Sequence, residues 1–445
     1  MDKKYPIKGV DLMKKLLSIV LCLTMMLITS CDIFQVEEPE YEVRLDQNKI
    51  TMFVGEKVEV SGSAYCDGEQ IETPQLTWES SDPSVAAVHD GHIEAVGLGR
   101  VKITAKYENA QKDITVDCVG EITSENANSF DEKYINIFGR YYAVDGGLKL
   151  DQTANALEIG IIGTSLSVEL TSDLASYMKI YIDGEGAGRI EVSSGRSTYK
   201  VADNLEEGYH VIRIVKDTEM QNAKWTLHSF DSARFASVPE KSELKIEFIG
   251  DSLTAGYGSI GKKGEAWSVK NSSPTEAYSY KTAELLGADF SIIAWSGICT
   301  RAYLWTDINM ASLYNWKSSE NTERYEFDDE PDVIVINLGT NDASYIMNGH
   351  SDYKEKFFDH YLEFLMDVRK SNPNAYIICI YGVAGEHPTV TEGIQMASAL
   401  IDDKVVFNPF EFVPNGAGVN GHPTKEAYDG WAKSLAEYIE GLNIE

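Results

Sequence analysis

Basic residues are scarce in this 445-residue chain: 39 Lys and Arg stand against 70 Asp and Glu, a formal net charge of −31 at pH 7. Such an excess repels nucleic acid and anionic membrane surfaces rather than steering them in, so neither is expected as an electrostatic partner, whereas neutral glycans stay compatible. Cysteine is scarce too, six in all, with no Cys-x-x-Cys pair, and the one close histidine pair, His89 and His92, flanks a turn glycine. Neither a metal site nor an organic cofactor is expected from such a pattern. Cys66 and Cys118 fall in one short segment and could pair in an oxidising compartment, with free thiols the equal alternative, while Cys299 and Cys379 read as core residues. Long apolar runs are missing: residues 16–28 fall short of the ~17–25 residues that a membrane-spanning helix needs.

That short run reads instead as an export signal. Lys14 and Lys15 precede it, and Ile28-Thr29-Ser30-Cys31 follows as a lipobox, so cleavage is expected to leave Cys31 as a lipid-bearing first residue. Residues 1–31 are then a lipoprotein signal, 32–40 an acidic tether, and the expected place of the protein is the bacterial cell envelope, held to the membrane by its lipid alone. Residues 41–120 contain short alternating segments at 41–45, 50–54, 57–60, 76–78, 101–105 and 114–116, the spacing of a β-sandwich. The run Leu76-Thr-Trp-Glu-Ser-Ser-Asp-Pro-Ser-Val85 with Gly91-His-Ile-Glu-Ala-Val-Gly-Leu-Gly99 resembles the group-2 bacterial immunoglobulin-like domains. The resemblance implies a spacer or an adhesion module.

Residues 121–240 are again all-β, with strands expected at 156–162, 165–170, 178–183 and 210–215, a jelly roll or sandwich in which no residue reads as catalytic. From residue 241 to 445 the pattern changes. Compact apolar runs at 244–249, 290–294, 333–338, 376–381 and 405–407 suit buried parallel strands. Helical periods fit between them at 275–286, ending at Gly287, and at 353–370. A last helix capped by Thr424 has Tyr428, Trp431, Leu435 and Ile439 on its inner face. A three-layer α/β/α domain with a five-stranded parallel sheet is expected, its site formed by loops at the strand C-termini.

Four blocks fall at those loops: Gly250-Asp251-Ser252-Leu253, Ser296-Gly297, Gly339-Thr340-Asn341-Asp342 and His422-Pro423. Acyl transfer needs a nucleophilic hydroxyl, a base titrating near neutrality and donors for an oxyanion. Ser252 and His422 supply the first two. The amides of Ser252 and Gly297 with the Asn341 side chain supply the third. Asp251 and Asp342 are expected to order loops by accepting backbone N–H groups. The order of blocks, and the run Ile246-Glu-Phe-Ile-Gly-Asp-Ser-Leu-Thr-Ala-Gly-Tyr-Gly258, resemble the SGNH or GDSL-type hydrolases. That superfamily usually places an aspartate three residues before the histidine, where this chain has Val419; a backbone carbonyl, Asn415 or Asn420 must then orient His422, giving a Ser-His dyad.

Phe138-Gly-Arg140, Gly163-Thr-Ser-Leu-Ser-Val168 and Val333-Ile-Val-Ile-Asn-Leu-Gly-Thr-Asn-Asp342 further resemble carbohydrate esterase family two, in which a β-sandwich precedes the SGNH domain. The resemblance implies removal of acetyl groups from acetyl-xylan or glucomannan-type polysaccharides or their oligosaccharides, in some members with a carbonyl in place of the triad acid. Tyr257, Trp267, Trp305 and Trp316 lie near the blocks and are candidate sugar-stacking aromatics. Two rival outcomes remain compatible with these residues: an esterase for longer acyl or thioester chains, and a surface glycan-binding protein whose last domain has lost activity.

Overall fold

The computed structural model describes residues 39–409, 416–442 and 444. The signal, Cys31 and most of the tether lie outside the described residues, as does Asn415. No helix among the described residues is long and apolar enough to cross a membrane.

Residues 41–119 form three small sheets. Gly99–Tyr107 pairs antiparallel with Ala110–Val119, which pairs parallel with Lys49–Phe53. Val101, Ile103 and Ala105 alternate inward, and with Ile50, Met52, Ile93, Ile114 and Val116 they build one core. Cys66 and Cys118 are both free thiols, on strands of different sheets.

Two larger antiparallel sheets follow. In the first, Ala156–Ile162 lies between Tyr209–Lys216 and Phe235–Ala236; in the second, Leu166–Ser172 lies between Gly195–Ala202 and Trp225–Asp231. Ile159, Ile161, Met178, Ile212 and Ile214 from one sheet and Val168, Leu170, Trp225 and Leu227 from the other share a single core. The expected strands at 156–162, 165–170, 178–183 and 210–215 are present within a residue or two. Glu185–Val192 and Gly195–Ala202 had no sequence signal, because each is largely exposed and held by pairing to its neighbour rather than by burial.

The remaining strands are β1 (Lys245–Gly250), β2 (Asp289–Ala294), β3 (Val333–Asn337), β4 (Tyr376–Ile380) and β5 (Val405–Phe407). They form one parallel sheet in the order β2-β1-β3-β4-β5. Both faces are buried: Val333 and Val335 join the cluster with Tyr278, Tyr428 and Trp431, while Ile334 and Ile336 join the cluster with Phe357, Phe364 and Ile394. Helices Tyr278–Leu286 and Lys425–Glu440 therefore cover one face, and Ser351–Ser371 and Pro388–Ile401 the other. Thr424 does occupy the N-cap position of the last helix, but its side chain makes no capping hydrogen bond, which corrects the expectation from sequence. Because β1 sits between β2 and β3, the chain leaves it first to one side and then to the other, and a crevice opens at the C-terminal ends of these strands.

The second β region and the parallel sheet are joined by a continuous interior. Phe138, Ala154, Ala156 and Val215 belong to the same cluster as the sheet residues Ile246, Phe248 and Phe290, and the Phe138 ring stacks on Phe290 at 5.1 Å. Arg140 is buried beside them and donates to Glu247 on β1 at 3.2 Å and to the Tyr314 carbonyl at 2.6 Å. Gly139 has φ +81°, and a Cβ there would meet the Asn155 amide at 2.7 Å; that amide donates to the carbonyls of Phe138 and Arg140. The run Phe138-Gly139-Arg140 is thus the hinge pin of this contact.

Candidate active site

β1 ends at Gly250, where any side chain would run into Thr254, so the chain turns at once. Asp251 is the N-cap of the short helix Ser252–Ala255, accepting from the Leu253 amide at 3.0 Å, and the turn sets the Ser252 hydroxyl above the end of β1. His422 enters from the other side. Its Nε2 lies 2.7 Å from Ser252 Oγ and its Nδ1 lies 3.2 Å from the Val419 carbonyl. The carbonyl can only accept, so Nδ1 carries the proton and Nε2 presents its lone pair to the serine hydroxyl.

The Val419 carbonyl reaches the imidazole because Asn420 and Gly421 both take positive φ, 50° and 81°, folding the chain back so that the His422 amide also donates to it at 3.0 Å. The Val419 side chain points elsewhere. A Cβ on Gly258 or on Gly261 would come within 2.5 Å of it, so the valine fills the space those two glycines leave open. Asn420, weighed as an orienting group, does not touch the imidazole with its side chain; its Nδ2 donates to the Tyr257 hydroxyl at 2.9 Å. The Tyr257 ring in turn lies 4.3 Å from the His422 ring and stacks on Trp267 at 5.5 Å. These contacts half-bury the base, and that desolvation holds its pKa below the ordinary 6.5.

After β2, Gly297 adopts φ +85°. Among the described residues, the amides of Ser252 and Gly297 have no hydrogen-bond partner. Asn341, the second residue of the helix Thr340–Met347 after β3, reaches the same group, but its Nδ2 already donates to Asp251 at 3.2 Å and to the Ile298 carbonyl at 3.0 Å. Asp342 accepts from the Thr300 amide at 3.0 Å and from the Tyr353 hydroxyl. Both aspartates order loops, as expected. Burial, with the other carboxylates nearby, pushes Asp251 up to about 7, and burial raises Asp342 to about 6.

Trp305 is 69% exposed, and its Cβ lies 2.8 Å from where a Gly297 Cβ would stand. An open indole face therefore borders the Gly297 loop. Trp316 is not brought to this group: its backbone pairs with Arg324, its ring packs on the interior cluster of Phe357 and Phe364, and its carbonyl faces Arg140 at 3.5 Å. A cavity of about 490 Å³ lined by Arg140, Glu247, Asp289 and Tyr325 opens at the opposite edge of the sheet and contains none of the site residues. No group of three His, Cys, Asp or Glu side chains suited to a metal ion occurs among the described residues.

Sequence reasoning missed the residues that the β region brings here. Glu219 accepts from the Ser296 amide and, at 2.9 Å, from the Ser296 hydroxyl, and Thr153 Oγ1 donates to the Ala294 carbonyl at 2.9 Å. The available signal was Asp217-Thr218-Glu219, a polar run directly after an apolar strand yet fully buried in the folded chain.

Residues 137–239 match the carbohydrate esterase 2 N-terminal family and residues 248–442 the GDSL-like lipase/acylhydrolase family. The chain is 30% identical over 318 residues to cellulase/esterase CelE of Acetivibrio thermocellus, covering 68% of this chain and 39% of that protein. Over 237 residues it is 30% identical to an acetylxylan esterase / glucomannan deacetylase of Cellvibrio japonicus, covering 50% of this chain and 65% of the relative. The chain thus spans less than two thirds of the length of either relative. A family two carbohydrate esterase from Clostridium thermocellum, solved in complex with cellohexaose, superposes with a TM-score of 0.64 at 29% identity, over 69% of this chain and 98% of that one. The chain therefore carries a carbohydrate esterase 2 N-terminal domain followed by a GDSL-like lipase/acylhydrolase domain.

Proposed function

We propose that this protein is a serine-dependent carbohydrate O-acetylesterase, with Ser252 and His422 as a catalytic dyad. The observation that carries the reading is the 2.7 Å approach of His422 Nε2 to Ser252 Oγ, with Nδ1 held by the Val419 carbonyl. In the acylation step Ser252 Oγ bonds to the acetyl carbonyl carbon and its proton passes to His422 Nε2. Charge develops on the carbonyl oxygen, facing the unengaged amides of Ser252 and Gly297. Asn341 becomes a third donor by exchanging its longer bond, the one to Asp251, for the oxyanion. The ester C–O bond then breaks, His422 returns the proton to the sugar oxygen, and water repeats the sequence to release acetate.

The substrate class rests on the relatives named for acetylxylan and glucomannan and on the cellohexaose complex. Exposed Trp305, with Tyr257 and Trp267 behind the base, is the proposed platform for an acetylated polysaccharide or oligosaccharide. We assign residues 41–120 and 121–240 to two β-sandwich domains and 241–445 to a three-layer α/β/α domain, supported by shared cores and by the sheet buried on both faces. Lipid attachment at Cys31 is proposed to hold the enzyme at the cell envelope.

Ser252→Ala should lower acetate release from acetylated xylan or glucomannan oligosaccharides by about 1,000-fold or more, measured as acetate. Full activity in that variant overturns the assignment, and a preference for long acyl chains in a p-nitrophenyl ester series overturns the acetyl specificity.

A further inference from the structure

The turn Asp217–Met220, which follows the strand Tyr209–Lys216 of the β region, is almost wholly buried, with Glu219 only 3% exposed. It grips the loops of the site at two points. Asp217 accepts from the Ser273 hydroxyl at 2.8 Å, the Thr275 amide at 3.0 Å and Arg189 at 2.5 Å, and Arg189 also donates to the Ser272 carbonyl at 2.6 Å. Ser272 Oγ accepts from the Gly258 amide at 2.8 Å, in the segment that packs on Val419. At the second point Glu219 holds both the amide and the hydroxyl of Ser296, the residue before Gly297, and Thr153 fixes the Ala294 carbonyl while accepting from the Met220 amide at 3.1 Å.

Among the described residues, Glu219 forms no salt bridge. Lys216, the buried cation of the same turn, spends its Nζ on the carbonyls of Thr218 and Ala223. Burial pushes the Glu219 carboxyl up to about 7. A buried acid without a cation costs stability that an apolar side chain of similar size would not. What it provides in return is geometric: with Ser296 tied at two atoms, the Ala294 carbonyl at a third and the Ile298 amide bonded back to the Trp295 carbonyl at 3.2 Å, the turn whose central peptide carries the Gly297 amide is anchored at its entry.

We propose that Glu219 is a positioning residue for the proposed oxyanion loop, so that the carbohydrate esterase 2 N-terminal domain completes the site of the hydrolase domain. The inference rests on the Ser252 esterase reading and deepens it. Glu219 touches no reacting atom; it acts through Ser296 on the direction of the Gly297 amide. Misplacing a donor by about an ångström costs on the order of 100-fold in rate.

The test compares the full-length protein with Glu219→Ala, Glu219→Gln and Ser296→Ala on p-nitrophenyl acetate and on acetylated xylo-oligosaccharides. Glu219→Ala should lower kcat about 10- to 100-fold with KM within about twofold, because the loss is in the transition state. Glu219→Gln, whose amide oxygen still accepts from the Ser296 amide, should recover kcat to within about fivefold. Ser296→Ala should fold normally and lose about three- to tenfold, which keeps the test decisive if Glu219→Ala does not fold. A folded Glu219→Ala with kcat within twofold of wild type, equal loss in the Ala and Gln variants, or an unaffected Ser296→Ala overturns the proposal. Ser252→Ala assayed alongside separates the two ideas: if it remains active the esterase reading itself falls, whereas an inactive Ser252→Ala beside a fully active Glu219→Ala removes only this inference.

Discussion

His422 works as a base only while neutral, and its surroundings favour that state. Tyr257 against its ring and the partial burial of the imidazole make the imidazolium costly, while the Val419 carbonyl partly offsets this by accepting from Nδ1. A lowered pKa means that the neutral, working form persists to more acid pH than an ordinary histidine allows. The acid limb of kcat/KM for acetyl ester hydrolysis should therefore lie below pH 6.5, and Tyr257→Ala, which opens the ring to water, should move that limb back toward 6.5. A pH–rate profile of the two proteins checks this; a wild-type limb above 6.5 contradicts it. The residue types were legible from sequence because Ser252, Gly297, Asn341 and His422 each follow an apolar strand or open a helix. What holds them was legible for His422 only as a choice between a backbone carbonyl, Asn415 and Asn420, and for Ser296 not at all, since the Glu219 carboxylate comes from the preceding β region.

At the scale of elements, the turn from Val419 to Gly421 decides how a chain lacking the usual acid still orients its base. The valine side chain is packed over Gly258 and Gly261, facing away from the imidazole, and only the main chain reaches His422. Restoring the residue that the superfamily usually has should therefore not restore a triad. Val419→Asp is expected to place an unpaired carboxylate in a fully buried apolar site, costing on the order of 3–5 kcal/mol. Thermal or urea unfolding should report that loss, with kcat no higher than wild type; a gain in kcat at unchanged Tm would show that the side chain can swing to the imidazole. Two neighbouring positive φ values make this turn, and they belong to Asn420 and Gly421, the residue types that adopt them most readily.

For the molecule as a whole, the β region ending near residue 239 and the parallel sheet behave as one body because their interiors are shared. Arg140 pairs with Glu247 in that interior and lies 4.0 Å from the Tyr325 ring centre. Arg140→Ala leaves Glu247 buried and unpaired and should cost about 3–5 kcal/mol, read as a drop in Tm, with a single unfolding transition retained for the two domains. Residues 41–119 are different. They meet the rest through Arg100, which donates to the Lys241 carbonyl at 2.6 Å and to the Glu240 carbonyl, and through the Phe53 ring, edge-on to Tyr209 at 5.2 Å, and among the described residues they contribute none to the site. A chain beginning at residue 121 should keep kcat and KM for soluble acetylated oligosaccharides within about twofold, and a larger loss would assign the first module a part in catalysis. The sequence by itself determined which segments alternate and which run apolar, hence the strands buried on one face or both, and it determined the chemistry of the four blocks, because periodicity and residue type are local properties. The tertiary structure decided what lies behind that chemistry: a carbonyl for the missing acid, a valine against two glycines, Trp316 packed on an interior cluster with its carbonyl toward Arg140, and Glu219 on the loop before Gly297. The carbonyl contact depends on main-chain direction and the others join residues distant in sequence, 77 positions apart for Glu219 and Ser296, and neither leaves a periodic trace in the sequence.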